Sequence, residues 1–253
     1  MILSKNASRH RHRFAQQRLG FFEAPYLKKT IRVVAGRYRI HGKRNRYYKQ
    51  LNTTGFVAVK KPKWEPPKVS DTGAWVLDPN YTYNADEKLA REVLLLSKGG
   101  SLLEFGAGLG CYTRTFLLHA KEFQLTSLIA VDGASNVGEI THGLVITRDL
   151  TLPLTDVPRA DWLLCMEVGE HIPPQFNKPF VSNLVSHARK GMVLSWSNVC
   201  DKGVGHVNCK SEDQVIGMMR AEAFDYDAQA TSVLRNVTAW GYLKTTLMVF
   251  RRA

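Results

Sequence analysis

Ten residues, Ser101 to Gly110 (Ser-Leu-Leu-Glu-Phe-Gly-Ala-Gly-Leu-Gly), join a short apolar run to an acid and then to three glycines at alternate positions. That pattern is how a buried strand turns into a helix beneath a nucleotide-like ligand. Gly106, Gly108 and Gly110 would let the main chain come close to such a ligand, and the helix that follows would present its unpaired amides. The spacing lacks the third glycine that the pyrophosphate fingerprint Gly-x-Gly-x-x-Gly requires, and a carboxylate at the strand end, Glu104, suits a cation better than a phosphate. The expected ligand therefore has no pyrophosphate, which counts against a hydride-transferring dehydrogenase. Two further acids close apolar runs, Asp132 after Ile129-Ala130-Val131 and Asp149 after Val145-Ile146-Thr147-Arg148. An acid so placed can accept hydrogen bonds from both hydroxyls of a ribose; the bland alternative is an aspartate that starts a turn.

A second constellation follows the run Ala160 to Met166, as Glu167-Val168-Gly169-Glu170-His171-Ile172-Pro173. If the chain turns helically there, Glu167, Glu170 and His171 stand at i, i+3 and i+4 and face one direction. Two carboxylates and an imidazole suit a divalent cation such as Mg²⁺ or Mn²⁺. The alternative is that Glu170 and His171 only position a cofactor or a loop. Cys200, His206 and Cys209 could approach a zinc ion, but they offer three ligands at poor spacing.

The glycine stretch with its acid resembles motif I of the class I S-adenosylmethionine-dependent methyltransferases. The resemblance covers about residues 86 to 253. It implies that Glu104 and the loop Gly106, Gly108, Gly110 hold the methionine part of S-adenosylmethionine, that Asp132 is the ribose acid and that Asp149 lies near the adenine. The Glu-x-x-Glu-His element is similar to that of two groups within this class, the O-methyltransferases of ubiquinone synthesis and the enzymes that methylate the 2′-hydroxyl at the 3′ end of small RNAs. In the RNA group a further histidine completes the metal site, and His206 occupies a comparable place. The resemblance thus implies metal ligands Glu167, Glu170, His171 and His206, catalytic roles for Glu167, His171 and His206, and a hydroxyl-bearing small molecule or an RNA as acceptor. A rival expectation is a non-catalytic methyltransferase-fold module that binds RNA.

The elements that must position these residues alternate along the chain. Helices are predicted over Asp86–Leu96, with a glycine stop at Gly99, and over Tyr112–Lys121 and Pro174–His187. Strands are predicted over Leu102–Phe105, Ser127–Asp132, Leu144–Asp149, Trp162–Met166 and Met192–Trp196. Ser211 and Gln214 form a candidate capping box for a helix through Phe224, and strands near Thr231–Leu234 and over Thr245–Phe250 close the chain. Apolar strands separated by helices mean an α/β domain with a mostly parallel sheet, seven-stranded and covered on both faces in the class I (Rossmann-like) fold.

Charge divides the chain. Residues 1 to 70 hold 18 of the 35 Lys and Arg but two of the 22 acids, a charge of +16, which leaves −3 for residues 71 to 253. A basic N-terminal extension and linker on a near-neutral domain is the expectation, with Pro62, Pro66 and Pro67 stiffening the junction. Arginines interleaved with Tyr38, Tyr47 and Tyr48 would suit an RNA-binding arm; a transit peptide or a solvated tail are the alternatives. A short strand or amphipathic piece is expected between Thr30 and Ile40. No apolar run reaches the roughly 20 residues of a membrane span. Cys111, Cys165, Cys200 and Cys209 are too dispersed for a disulfide framework and read as reduced thiols of a soluble protein in a reducing compartment, the cytoplasm or the mitochondrion.

Overall fold

The computed structural model describes residues 51–52, 55–56, 68–79, 84–201 and 203–253. The arginine-rich arm, the Thr30–Ile40 piece and nearly all of the proline linker lie outside them. The chain divides into two units, Met1–Pro62 and Lys63–Ala253. In the first unit Leu51–Asn52 and Gly55–Phe56 form an antiparallel ladder.

In the second unit the sheet strands are β1 (Ser101–Phe105), β2 (Ser127–Asp132), β3 (Ile146–Thr147), β4 (Ala160–Cys165), β5 (Ala188–Ser195), β6 (Phe224–Tyr226) and β7 (Leu247–Arg252). Their order is β3-β2-β1-β4-β5-β7-β6. The first five are parallel to one another, and β7 runs antiparallel to both β5 and β6. This is the class I methyltransferase fold. Strand order reverses between β1 and β4, the place where open α/β sheets bind ligands.

Side chains alternate across the sheet with the period of two that a strand imposes. Leu103, Phe105, Leu163, Cys165, Met192 and Leu194 join one core with Phe180 and Leu184 of α4 (Asn177–His187) and Val215 and Met219 of α5 (Glu212–Ala221). Leu102, Leu164, Val193 and Val249 face the other way, onto α1 (Glu87–Leu96), α2 (Cys111–His119) and α6 (Ala228–Val237), while the four-residue α3 (Val137–Ile140) lies between β2 and β3. Asp86 caps α1 through one carboxylate oxygen and with the other accepts from the Thr238 hydroxyl and the Ala239 amide, at 2.9 and 2.6 Å, beyond the end of α6. Among the described residues no helix is long and apolar enough to cross a membrane.

Three expectations are corrected. Thr231–Leu234 lies within α6, whose N-cap is Asp227, and the edge strand is Phe224–Tyr226. The β-branched Thr231 and Val233 suggest a strand locally, but Ala230, Thr231 and Leu234 fall on one helical face that packs on the sheet. The Ser211–Gln214 capping box is present, yet its helix ends at Ala221 and Ala223, at φ 59°, turns the chain into β6. Finally, Cys200 and Cys209 are joined in a disulfide. The Trp196 indole N–H donates to the Asn208 carbonyl at 2.7 Å and the Lys210 amide to the Ser197 carbonyl at 3.1 Å. These bonds pin the two ends of the intervening loop together, so its cysteines meet; Cys111 and Cys165 remain thiols.

Candidate active site

The chain leaves β1 through Gly106, Gly108 and Gly110, all left-handed, at φ 73°, 53° and 73°. At Gly106 the conformation is matched by crowding, because a Cβ there would fall 2.1 Å from Cγ2 of Val168 in the loop after β4. Only glycine fits both. Behind this turn Glu104 is 5% exposed and accepts a hydrogen bond from the Thr113 hydroxyl of α2 at 2.6 Å. Burial pushes its carboxyl up to about 8, against the Thr113 bond and helped by the nearby Asp132 charge.

Asp132, the last residue of β2, accepts from the Gly108 amide at 2.8 Å and the Ala134 amide at 2.7 Å. Its carboxylate thus braces the glycine loop; burial pushes it upward while the two amides favour its charge. Asp149 stands two residues beyond β3, and one of its oxygens accepts from both the amide and the hydroxyl of Thr151, at 2.9 and 2.7 Å. That is the turn-starting use of aspartate.

After β4 the chain does not turn helically as the spacing suggests. Glu167 has φ 54°, and its amide donates to the Ser195 hydroxyl at the end of β5. Its carboxylate oxygen Oε1 accepts from Ser195 at 2.8 Å and from Thr246 at 3.3 Å. The structure does bring Glu170, His171 and His206 together, with one ligand atom from each within 4.8 Å of the others; Glu167 stands beside this trio rather than in it. Two backbone bonds join the loops that carry them, from the Val207 and Asn208 amides to the Glu170 carbonyl at 2.8 and 2.9 Å. Nδ1 of His171 faces the Gly205 carbonyl at 3.1 Å and Nδ1 of His206 the Val199 carbonyl at 2.8 Å. Each ring can donate there and keep Nε2 as an electron-pair donor, the arrangement by which metal-ligating histidines are oriented.

Glu170 is fully buried, and neither of its carboxylate oxygens meets a hydrogen-bond donor. Burial, followed by the neighbouring Glu167 charge, pushes its carboxyl up to about 8, and burial holds His171 down to about 4. A buried carboxyl without donors beside two imidazoles is a donor set that can hold a divalent cation. The zinc reading fails, since Cys200 and Cys209 spend their sulfurs on each other.

The segment Gly73–Leu77 adds a feature that residue spacing does not announce. A Cβ on Gly73 would fall 2.1 Å from the His171 carbonyl oxygen, and one on Gly133 would fall 2.9 Å from the Ala74 Cβ. Leu77 exchanges two hydrogen bonds with the Asn136 side chain. The segment therefore crosses the loops that follow β2 and β4. It sets Trp75 edge-on to His171, centroids 5.0 Å apart, and the buried Trp75 indole N–H has no acceptor. Trp75 Nε1 and the two Glu170 oxygens are the unpartnered buried side-chain polar atoms among the described residues, and all lie around His171. The aromatic stretch containing Trp75 is visible in the sequence, but no periodicity signals its role.

No family model matches the sequence, and no curated protein does. Among solved structures the chain is similar to the magnesium protoporphyrin IX methyltransferase of Synechocystis PCC 6803 with bound SAH, at 14% identity and TM-score 0.49, over 66% of this chain and 83% of that one. It is similar also to an O-methyltransferase family protein of Burkholderia thailandensis, at 11% identity and TM-score 0.48, over 65% of this chain and 54% of the other. A third is the 1,6-didemethyltoxoflavin-N1-methyltransferase of the same organism, with 1,6-didemethyltoxoflavin and S-adenosylhomocysteine bound, at 16% identity and TM-score 0.44, over 66% of this chain and 80% of that one.

Proposed function

We propose that the protein is an S-adenosylmethionine-dependent methyltransferase acting on a hydroxyl, assisted by Mg²⁺ or Mn²⁺. The observation that carries this reading is the meeting, at the β1–β4 switch point, of the left-handed glycine loop behind Glu104 with the donor-starved Glu170 beside His171 and His206. Glu104 and the loop Gly106, Gly108, Gly110 would hold the cationic amino-acid end of the cofactor, Asp132 its ribose, and Asp149 would stand near its adenine. The cofactor supplies an activated methyl group, so what remains for the protein is to align the acceptor oxygen with it and to exclude water. Glu170, His171 and His206 would hold the cation, with Glu167 at its side. Bound there, a divalent cation supplies Lewis acidity that lowers the pKa of an acceptor hydroxyl. Glu167, held by Ser195 and Thr246, would receive the proton as the oxygen–carbon bond forms and the sulfur–carbon bond breaks. The strap Gly73–Leu77 would close the site from above.

Calorimetry tests the first half of this proposal. S-adenosylmethionine should bind with a response lost in Asp132→Ala, whereas tight NAD binding with no response to S-adenosylmethionine overturns it. For the second half, chelator should abolish transfer of labelled methyl to hydroxyl acceptors, and Mn²⁺ should restore it. A chelator-insensitive enzyme in which His206→Ala stays active refutes the metal role alone.

A further inference from the structure

Beyond β5, on the side of Glu167 away from the glycine loop, lies a cavity of about 280 Å³ that the proposed methyl transfer does not itself use. Its floor is the buried indole of Trp196 and the buried Met248. Lys210, Arg235, Lys244 and Glu212 stand around it. Glu212 is already answered, for one oxygen accepts from Arg235 at 3.0 Å and the other from the Tyr226 hydroxyl at 2.8 Å. Among the described residues neither Lys210 nor Lys244 forms an ion pair. The lining therefore carries two positive charges in excess. Lys244 is exposed, whereas Lys210 is held in place, since its ammonium donates to Asn208 at 2.9 Å and lies 5.5 Å over the Trp196 ring. Thr246 belongs to both places, lining the cavity while its hydroxyl reaches Glu167 at 3.3 Å.

We infer that this cavity binds an anionic group, a carboxylate or a phosphate, carried by a small methyl acceptor whose hydroxyl lies toward Glu167. The inference rests on the methyltransferase reading for the identity of the ligand as acceptor, though not for the existence of the anion site. An excess of two positive charges around an apolar floor favours a ligand with one charged end and an apolar body. A volume of about 280 Å³, just under the roughly 300–1,000 Å³ of small-molecule sites, suits a compact hydroxy acid or phosphate monoester.

The test uses the full chain labelled with ¹³C-methyl methionine, with the Met248 signal assigned by its loss in Met248→Leu. Benzoate and phenyl phosphate serve as anionic probes and phenol as the neutral one. At least one anion should shift the Met248 signal saturably and bind more tightly than phenol; which of the two does so names the source of the charge. Replacing both lysines, Lys210→Gln with Lys244→Gln, should weaken that binding about tenfold or more, the loss expected for two partly screened contacts, with S-adenosylmethionine affinity unchanged. Equal affinity for phenol, or an anion response that survives the double replacement, overturns the site. An anion response in a protein that ignores S-adenosylmethionine sustains the site and refutes the methyltransferase reading instead.

Discussion

Cofactor binding should release a proton from Glu104. With its carboxyl held near 8 by burial, Glu104 is roughly nine-tenths protonated at pH 7, whereas an ordinary glutamate is almost wholly ionised there. The cationic amino group of S-adenosylmethionine requires the charged carboxylate, so the complex should form with loss of about 0.9 proton at pH 7. Affinity should then rise about tenfold per pH unit between roughly 5 and 7, below the range in which the amine itself titrates. The same shift appears in the stability of the ligand-free protein. A folded-state value above the ordinary one means that Glu104's contribution is fully present below about 4.5 and is lost as pH rises through 8, at about 1.4 kcal/mol per pH unit within that window. Subtracting the curve of Glu104→Gln from that of the wild type isolates this slope from Glu170, which has the same sign, and from His171, whose lowered value acts oppositely between about 4 and 6.5. Calorimetry in buffers of different ionisation enthalpy reads the proton directly. A binding heat independent of buffer, with affinity flat from pH 5 to 7, would refute the claim that a neutral buried Glu104 must ionise to receive the cofactor.

Gly106→Ala should lower stability by about 1–2 kcal/mol from its left-handed backbone alone, and cofactor affinity should fall as the loop retreats from Val168; a thermal melt paired with calorimetry checks both. Breaking the Cys200–Cys209 bridge with paired serines should loosen the loop that carries His206 and Gly205, weakening Mn²⁺ binding measured by electron paramagnetic resonance about tenfold while S-adenosylmethionine affinity holds. Unaltered Mn²⁺ affinity would show that the bridge does not organise the trio. If the basic extension contacts RNA, starting the chain at Lys63 should remove a strongly salt-dependent RNA affinity, because phosphate contacts release counterions; the strap Gly73–Leu77 survives that truncation.

What was legible in the sequence follows from how local the determining physics is. The strand Ser127–Asp132 is fixed at both ends by its apolar run and its terminal acid, and the glycine loop was readable because a left-handed turn leaves little alternative to glycine. The strand expected over Leu144–Asp149 shrinks to Ile146–Thr147, since β3 is an edge that pairs only with the end of β2. Thr231–Leu234 misled for a related reason: strand propensity belongs to single residues, whereas the helix depends on the face those residues bury together. At the candidate metal site the residue types were visible, but the helical spacing that suggested them is not how they meet. Glu170 and His171 reach His206 because main-chain bonds from Val207 and Asn208, together with the Cys200–Cys209 disulfide, hold its loop against them. Glu167 is drawn instead to Ser195, the last residue of β5, and Thr246, the last residue of the helical turn Leu243–Thr246 that leads into β7. Those hydroxyls could not be found from spacing, since their role arises only where the antiparallel β7 begins beside the end of β5. The reversal that sets β7 against its neighbours thus also builds the wall between Glu167 and the lysine-lined cavity, and it joins the candidate chemistry to the candidate recognition site through the single hydroxyl of Thr246.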